Sequence, residues 1–326
     1  MLIEEDIMKP RSFLKLVEIQ TKVASVIPFL LGTVYAFYTY NRFNLKNFLL
    51  MFVSLICIDM CTTAINNYID FKKAQKKEGY GYEKHNAIVR DNLKERDVLI
   101  TIGLLLSIAI VFGILLYLNT NVVVLLLGML SFLIGITYTF GPVPTSRTPL
   151  GELLSGGFMG LIIPFLAVYI HVYDQDIVNI KVDAQDLILS ISYLDVLKIF
   201  LISLPAATGI ANIMLANNIC DIEDDIINRR YTLPIYIGKD KALILFRSLY
   251  YIGFLAIILS IILKVAPLAV LLALLTYVVV HKNINAFMQL QTKKDTFVFS
   301  VQNFVIVNLS LVFTIGLGII IKLLMA

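Results

Sequence analysis

Long apolar runs recur along the whole of this chain and constrain its fold more than any other feature. Stretches of eighteen or more mostly apolar residues follow one another from the first quarter of the sequence to its end, and about 20 such residues cross the hydrocarbon core of a bilayer as a helix. Only 15% of the residues are charged, against about 25% in soluble domains. The pattern predicts an all-α, polytopic transmembrane helical bundle and excludes a soluble enzyme, a disulfide scaffold and a coiled coil.

A window of about 20 residues predicts about nine spans in a single integral-membrane domain that comprises residues 1–326. The eighth predicted span is short, because Lys264 and Pro267 interrupt the apolar run that it shares with the seventh. The predicted spans cover residues 23–40, 48–67, 98–118, 121–140, 153–172, 197–217, 242–263, 265–281 and 297–324.

The basic residues predict the orientation of the bundle. If the N-terminus is cytoplasmic, most of the 27 Lys and Arg residues fall in inside segments, as the positive-inside rule requires. The segment 173–195, with five Asp and one Lys, then lies outside. We therefore expect a multi-pass cell-membrane protein with its N-terminus inside and its C-terminus outside. No basic block interleaves with aromatic residues, so nucleic acid is not an expected partner.

Two polar motifs follow the second and sixth predicted spans, and both face the cytoplasm in this orientation. The first pairs Asn66 with Asp70, and the second places Asn217, Asp221 and Asp225 at intervals of four residues. On a continuing helix this spacing puts the side-chain oxygens on one face. About half of the chain separates the motifs, which suggests two related halves around a central cavity.

Carboxylates aligned at membrane depth repel one another and are costly to desolvate, so they need a cation. Hard oxygen ligands are typical of Mg²⁺, which usually joins one or two carboxylates to substrate phosphates. An isolated motif of this kind is more often a solvated helix end, but two at matched depth beside basic residues favour a Mg²⁺ and diphosphate site. The basic residues available near the motifs are Lys72, Lys73, Lys76, Lys77, Arg90, Arg147, Arg229 and Arg230.

Four stretches resemble the UbiA-type intramembrane prenyltransferases, and within that family the branch that acts on 1,4-dihydroxy-2-naphthoate in menaquinone synthesis. KVASVIPFLLGTVYAFY resembles the first span of the family, and NNYIDFKKA resembles its first aspartate motif. NNICDIEDDIINRRYTLPIYIG resembles the second motif, and this match is long and specific. ITYTFGPVPTSRTPLGELLSG resembles the middle stretch and points to the naphthoate branch.

The resemblance, which covers most of the chain, implies a reaction and a set of site residues. A polyprenyl diphosphate loses its diphosphate with the help of Mg²⁺, and 1,4-dihydroxy-2-naphthoate attacks the allylic cation to give demethylmenaquinone. The implied metal ligands are Asn66, Asp70, Asp221 and Asp225, with Asn217 as a ligand or as a residue that orients one. The implied substrate contacts are Asn67, Lys77, Arg90, Arg147, Glu152, Arg229 and Arg230.

Several of these residues also have an ordinary structural interpretation. Arg147 either contacts the diphosphate or only marks the cytoplasmic side. Tyr138 either stabilises the cation with its ring or packs as an interfacial anchor, and Glu152 either binds the acceptor or stabilises a helix N-terminus. Asp59 lies on the same helical stripe as Asn66 and Asp70, where it either orients the acceptor or pairs with a neighbouring helix.

The chain departs from the family pattern at some motif positions. Asn67 and Ala74 stand where acidic residues are usual, and Cys220 replaces an Arg. Arg229 replaces a Gly, and Arg230 replaces a Lys. These departures leave open a degenerate member that binds isoprenoid without turnover.

Two further alternatives remain from the sequence alone. The first is a prenyltransferase with another aromatic acceptor, such as hydroxybenzoate. The second is a cation-coupled transporter, since related halves with acidic residues near helix ends also occur in carriers. The depth of the motifs favours the enzyme, because a transporter site lies near the bilayer midplane.

Overall fold

The computed structural model describes residues 8–73, 86–141, 144–182 and 186–325, the side chains of Lys73 and Val182 excepted. Within these ranges nine helices are long and apolar enough to cross a membrane, which confirms the predicted helical bundle. Numbered as spans 1 to 9, they are Ile19–Tyr40, Leu45–Lys72, Glu95–Leu118, Val122–Thr139, Gly151–Val172, Tyr193–Cys220, Lys239–Ile262, Leu268–Gln289 and Phe297–Leu324. Shorter helices are Pro10–Leu16, Ala87–Arg90, Ile222–Ile227 and Leu233–Ile237, with a 3₁₀ turn at Thr145–Arg147.

Spans 1 to 4 and spans 5 to 8 repeat one pattern of helix lengths. The first set has 22, 28, 24 and 18 residues, and the second has 22, 28, 24 and 22. In each set the long second helix packs most extensively on the third, so span 2 lies against span 3 and span 6 against span 7. The two motifs therefore end equivalent helices of two similar halves, and span 9 is added to the second half.

Two helices differ from the sequence expectation. Span 6 ends at Cys220, and Asp225 lies on the separate helix Ile222–Ile227 rather than on a continuation of the span. The new helix starts there because Glu223, Asp224 and Asp225 in its first turn suit its N-terminal dipole. Span 8 extends to Gln289 instead of residue 281, and its first nine residues form a 3₁₀ helix.

Spans 5 and 6 form the buried centre of the bundle, whereas spans 3 and 4 lie at its periphery. Glycines allow the closest helix contacts. A methyl group on Gly160 would overlap the backbone of Ala207 in span 6, and one on Gly32 would overlap the carbonyl oxygen of Pro164. Around Gly160 span 5 contains a π-helical turn, Phe158–Ile162, a feature often found at functional sites. The outer surface carries many exposed Leu and Ile side chains, as expected for contact with lipid.

The connection between spans 5 and 6 contains a two-stranded antiparallel hairpin, with β1 at Val178–Val182 and β2 at Leu187–Ile191. Tyr169 at the end of span 5 donates a hydrogen bond of 2.6 Å to the carbonyl oxygen of Val178. The Asn121 amide donates in turn to the Tyr169 hydroxyl at 2.7 Å. These bonds join spans 4 and 5 and the hairpin at the end of the bundle opposite the motifs.

Candidate active site

Span 2 places the first motif on one uninterrupted helix that continues to Lys73. Asp59 lies halfway along span 2, and at about 1.5 Å per residue it is about 10 Å along the axis from Asn66 and about 16 Å from Asp70. Asp70 is exposed near the helix end, and Asn66 is half-buried. The three side chains share one stripe of the helix, as predicted from their spacing.

Asn67 is held by the N-terminal segment of the chain. Its amide donates to the carbonyl oxygen of Leu16 at 2.9 Å and to Glu18 Oε1 at 3.3 Å. Its own carbonyl oxygen accepts a hydrogen bond of 2.8 Å from the Asn86 amide. The buried Asn67 therefore joins span 2 to two neighbouring segments, and its predicted contact with substrate stays a prediction.

The second motif has two acidic side chains that contact cations of the protein. Asp221 Oδ2 lies 2.5 Å from Lys293 Nζ, which belongs to the connection between spans 8 and 9. Asp225 is buried, and its two oxygens lie 3.3 Å from Arg230 Nε and 3.2 Å from the Thr232 hydroxyl, which donates to it. Burial raises the pKa of the Asp225 carboxyl, and the Arg230 guanidinium opposes that effect.

The second motif is also joined to the start of span 5 by a hydrogen bond. The Asn218 amide donates a 2.8 Å hydrogen bond to Glu152 Oε1, and both side chains are buried. Glu152 Oε2 is buried too and has no hydrogen-bond partner among the described residues. Glu152 thus faces the second motif, next to Asn217, with one oxygen available to a further donor.

The predicted basic residues lie in different surroundings. Arg147 ends the 3₁₀ turn after span 4, and its carbonyl oxygen accepts a 3.1 Å hydrogen bond from the Tyr231 amide, which joins the loops after spans 4 and 6. Arg229 is exposed and has a left-handed φ of 54°, which explains why glycine suits this position in the family pattern.

The basic residues near the end of span 2 pair with acids of the same region. Arg90 Nε contacts Asp91 Oδ1 at 3.1 Å, and Lys72 pairs with Glu95 at 2.7 Å. Lys76, Lys77 and Ala74 lie outside the described residues.

A cavity of about 470 Å³ extends among spans 1 to 6. Its far end is apolar, with Met51, Leu116, Val124 and Leu166 in the wall. Its polar side chains nearest to the motifs are Ser25, Asp59, Tyr138 and Ser155. The cavity therefore offers a long apolar volume that becomes polar toward the level of the two motifs.

Asp59 belongs to a hydrogen-bonded network with span 1. Lys22 Nζ, on a side chain only 5% exposed, lies 2.6 Å from Asp59 Oδ1 and 2.6 Å from the Thr63 hydroxyl. The Ser25 hydroxyl donates to Asp59 Oδ2 at 2.5 Å. Asp59 thus has an ionic partner in this structure and still forms part of the cavity wall. Tyr138 of span 4 also lines the cavity, and its hydroxyl is buried.

The donor set of the motifs suits a hard divalent cation. All five predicted ligands offer carboxylate or amide oxygens. No three His, Cys, Asp or Glu side chains of the described residues converge as a metal cluster. Mg²⁺ does not need such a cluster, because it keeps several waters and takes one or two carboxylates together with substrate phosphates.

Sequence patterns missed four residues of this region: Lys22, Asn218, Thr232 and Lys293. Lys293 and Lys22 contact acids that lie far away in the sequence, so no local spacing reveals them. Asn218 and Thr232 were within quoted motifs, but only the fold shows that they bond Glu152 and Asp225.

Nine apolar spans among the described residues, a mostly apolar cavity and two acidic motifs at equivalent helix ends define a polytopic membrane protein. The chain belongs to the UbiA prenyltransferase family, whose model matches residues 25–310. It is 32% identical over 239 residues to the 1,4-dihydroxy-2-naphthoate octaprenyltransferase of Bacillus subtilis (strain 168), covering 73% of this chain and 70% of that relative.

Solved structures show the same fold. The apo structure of a UbiA homolog from Aeropyrum pernix K1 has a TM-score of 0.64 at 20% identity and covers 92% of this chain and 98% of its own. The structure of a UbiA homolog from Archaeoglobus fulgidus bound to GPP and Mg²⁺ has a TM-score of 0.61 at 15% identity, with 94% and 99% covered. The chain is thus a membrane-embedded prenyltransferase of this family.

Proposed function

We propose that this enzyme transfers a polyprenyl group from a polyprenyl diphosphate to 1,4-dihydroxy-2-naphthoate, releasing diphosphate on the cytoplasmic side. The observation that carries the proposal is the position of the cavity, whose apolar volume runs into a polar end just below two acidic motifs. An allylic diphosphate with a long isoprenoid tail has the same division into apolar and anionic parts. The named relative from Bacillus subtilis supports the choice of acceptor.

The residues of the two motifs would hold the anionic end of this substrate. The residues that would hold Mg²⁺ are Asn66, Asp70, Asn217, Asp221 and Asp225. A bound Mg²⁺ would neutralise the charge that develops on the departing diphosphate. Arg147, Arg229 and Arg230 come from the loops after spans 4 and 6, and Arg90 comes from the loop after span 2. Their guanidinium groups suit phosphate oxygens because they form planar, bidentate hydrogen bonds.

The cavity would perform the remaining tasks. Its apolar wall holds the isoprenoid tail and keeps water away from the allylic carbon. Water would otherwise react with that carbon in place of the acceptor. The electron-rich ring of the acceptor attacks that carbon as the bond to the diphosphate oxygen breaks. The ring then regains its aromaticity by losing a proton, and the carboxyl group departs as carbon dioxide to leave the prenylated diol. Tyr138 lines the cavity, and its ring would stabilise positive charge on the allylic carbon.

The proposal is tested by product formation with purified protein in lipid. The protein receives a mixture of polyprenyl diphosphates and 1,4-dihydroxy-2-naphthoate, with Mg²⁺ or with EDTA. A prenylated naphthalene-1,4-diol that forms only with Mg²⁺, detected as its quinone after oxidation in air, is the expected result, and it also reveals the chain length. Product with 4-hydroxybenzoate alone would replace the acceptor, and absence of product with either would contradict the proposal.

Variants of the second motif test the site. Asp221→Ala and Asp225→Ala should each abolish product formation and leave membrane insertion intact. Asp224→Ala is the matched control, because Asp224 lies exposed on the same short helix. Turnover near the wild-type rate in either motif variant would remove the assignment of Asp221 and Asp225.

A further inference from the structure

The hairpin between spans 5 and 6 has one apolar face and one mostly polar face. Successive residues of a strand alternate between the two faces, and directly opposite residues of an antiparallel pair share a face. With Val178 opposite Ile191, the apolar face consists of Val178, Ile180, Leu187, Leu189 and Ile191. The other face carries Asn179, Lys181, Ile188 and Ser190.

The apolar face is covered by protein on β1 and uncovered on β2. β1 packs on span 4, and Val178 and Ile180 are half-buried against the core of the bundle. The main contact of β2 is β1 itself. Leu187, Leu189 and Ile191 are 73%, 56% and 51% exposed. Because both strands form one sheet, the β2 part of the face is directed as the β1 part is, but it extends past the protein that covers β1.

This exposed surface continues onto a helix that crosses the membrane. Span 6 begins at Tyr193, two residues after the end of β2. Tyr193, Leu194 and Leu197 in its first turns are all exposed, and tyrosines at the ends of spans are typical of the membrane interface. Since span 5 ends at Val172, the hairpin joins two span ends and lies at the level of the bilayer surface.

Neither water nor the hydrocarbon core suits this hairpin. In water, an exposed apolar edge strand pairs with other chains, and natural sheets prevent this with charges or proline. The sequence of β2, LILSI, contains neither. In the hydrocarbon core, the backbone groups along the outer edges of the two strands would lack hydrogen-bond partners. The interface between lipid and water meets both demands, because apolar side chains enter the acyl chains while the strand edges bond to headgroups and water.

We propose that the β1–β2 hairpin is an interfacial anchor whose apolar face binds the lipid of the leaflet opposite the two motifs. Amphipathic helices bind membrane surfaces in the same way, with the apolar face in the lipid and the polar face in water. The Tyr169 and Asn121 hydrogen bonds join the hairpin to spans 4 and 5. The anchor therefore fixes the ends of these spans at the bilayer surface. The hairpin lies outside the proposed active site, and this inference does not depend on the proposed function.

The anchor is tested by fluorescence quenching of the full chain in lipid nanodiscs. In a chain without Cys57, Cys61 and Cys220, a bimane label is attached to Leu189→Cys on the apolar face. Ser190→Cys is the matched control, because it is the next residue of the same strand, is also exposed and belongs to the other face.

Lipid-borne nitroxide should quench the label at Leu189→Cys several-fold more than the label at Ser190→Cys, and aqueous iodide should show the reverse order. A nitroxide near the headgroup should quench more than one near the end of the acyl chain, because the strand edges stay at the headgroups. Leu187→Cys should behave as Leu189→Cys does, which provides a second variant if one fails to fold.

Three results would overturn the anchor. Strong quenching by iodide at Leu189→Cys would place the apolar face in water. Protection of this label from both quenchers would show that protein covers the face, as in pairing with a second copy of the chain. Equal quenching by lipid nitroxide at Leu189→Cys and Ser190→Cys would show that the two faces of the hairpin do not differ in their contact with lipid.

Discussion

Lys293 is the residue whose role the fold reveals most directly. It lies in the connection between spans 8 and 9, outside both motifs, and yet its ammonium contacts Asp221. A diphosphate bound at Asp221 would lie within reach of the same ammonium. The connection between spans 8 and 9 would therefore belong to the proposed site, together with the loops after spans 2, 4 and 6.

We expect Lys293→Gln to raise the KM for prenyl diphosphate about tenfold, because a charge-assisted contact contributes about 1.5 kcal/mol. The binding of inorganic diphosphate to the substrate-free protein, measured by calorimetry, should weaken to the same extent. The neighbouring Lys294→Gln removes the same charge without the contact to Asp221. Equal effects of the two variants would show that diphosphate binding depends on the total positive charge of the loop and not on the contact between Lys293 and Asp221.

The residues of the two motifs differ in how far their sequence pattern predicts their contacts. Asp221 and Asp225 are recognisable because a fixed spacing of acids is a local pattern. Asn67 stands within the first motif and resembles its neighbours in sequence, but its amide bonds Leu16 and Glu18. Such a partner depends on how the N-terminal segment packs, and no spacing within the motif contains that information.

At the scale of the helices, the contact between spans 5 and 6 depends on glycine. Gly160→Ala should lower the melting temperature of the purified protein by several degrees, since overpacking of a tight contact costs about 1–3 kcal/mol. Its control is Gly157→Ala in the same helix, where an added methyl group meets nothing within 4 Å. A Gly160→Ala protein as stable as the Gly157→Ala protein would show that the two spans can separate at no cost.

The loop after span 2 is fixed to the N-terminal helix by Asp91. Hydrogen bonds from Ser12, Lys15 and Arg90 lower the pKa of Asp91 to about 2, whereas an unfolded Asp has a pKa of about 3.9. A lowered pKa in the folded state means that Asp91 adds stability above about pH 4, and that this contribution is lost as the pH falls through about 2.

Asp91→Asn should therefore lower the melting temperature at pH 7, and its difference from the wild type should shrink as the pH falls below 4. Thermal denaturation in detergent at pH 7, 5 and 3 measures this. Lys15→Gln, which removes the partner at 3.2 Å, should follow the same trend. A difference that is independent of pH would show that the charge of Asp91 is not what holds the loop.

The helices differ in how well sequence predicts them, for physical reasons. The existence of each span follows from the length of its apolar run. The predicted end of span 6 at residue 217 lies within three residues of the observed end at Cys220. The separate helix that begins at Ile222 was not predicted, because the Asn and Asp spacing and its three acids also fit a continuing helix. The 3₁₀ start of span 8 at Leu268–Thr276 was equally invisible, since its residues favour an ordinary helix.

For the whole molecule, the count and order of the spans follow from the sequence, while the cavity does not. Six helices contribute to its wall, and their mutual arrangement depends on contacts between residues that are distant in the chain. The two halves were predicted from the repeated motif, and the matched helix lengths agree with that interpretation.

The predicted orientation of the molecule is testable with single cysteines. In a chain without Cys57, Cys61 and Cys220, Asp186→Cys before β2 should react with an impermeant maleimide in intact cells. Glu223→Cys in the second motif should react only after the membrane is permeabilised. Both positions are exposed, so accessibility to the reagent does not limit the result. The opposite pattern of labelling would invert the orientation and place the site outside.

The ion pair between Lys22 and Asp59 also has a consequence for how the chain enters the membrane. Asp59 lies halfway along span 2, where an unpaired carboxylate costs about 2.5–3.5 kcal/mol during insertion. Its partner is on span 1, which is synthesised first and is joined to span 2 by a connection of four residues. The insertion machinery should therefore release these two helices into lipid as one hairpin, already joined by the ion pair.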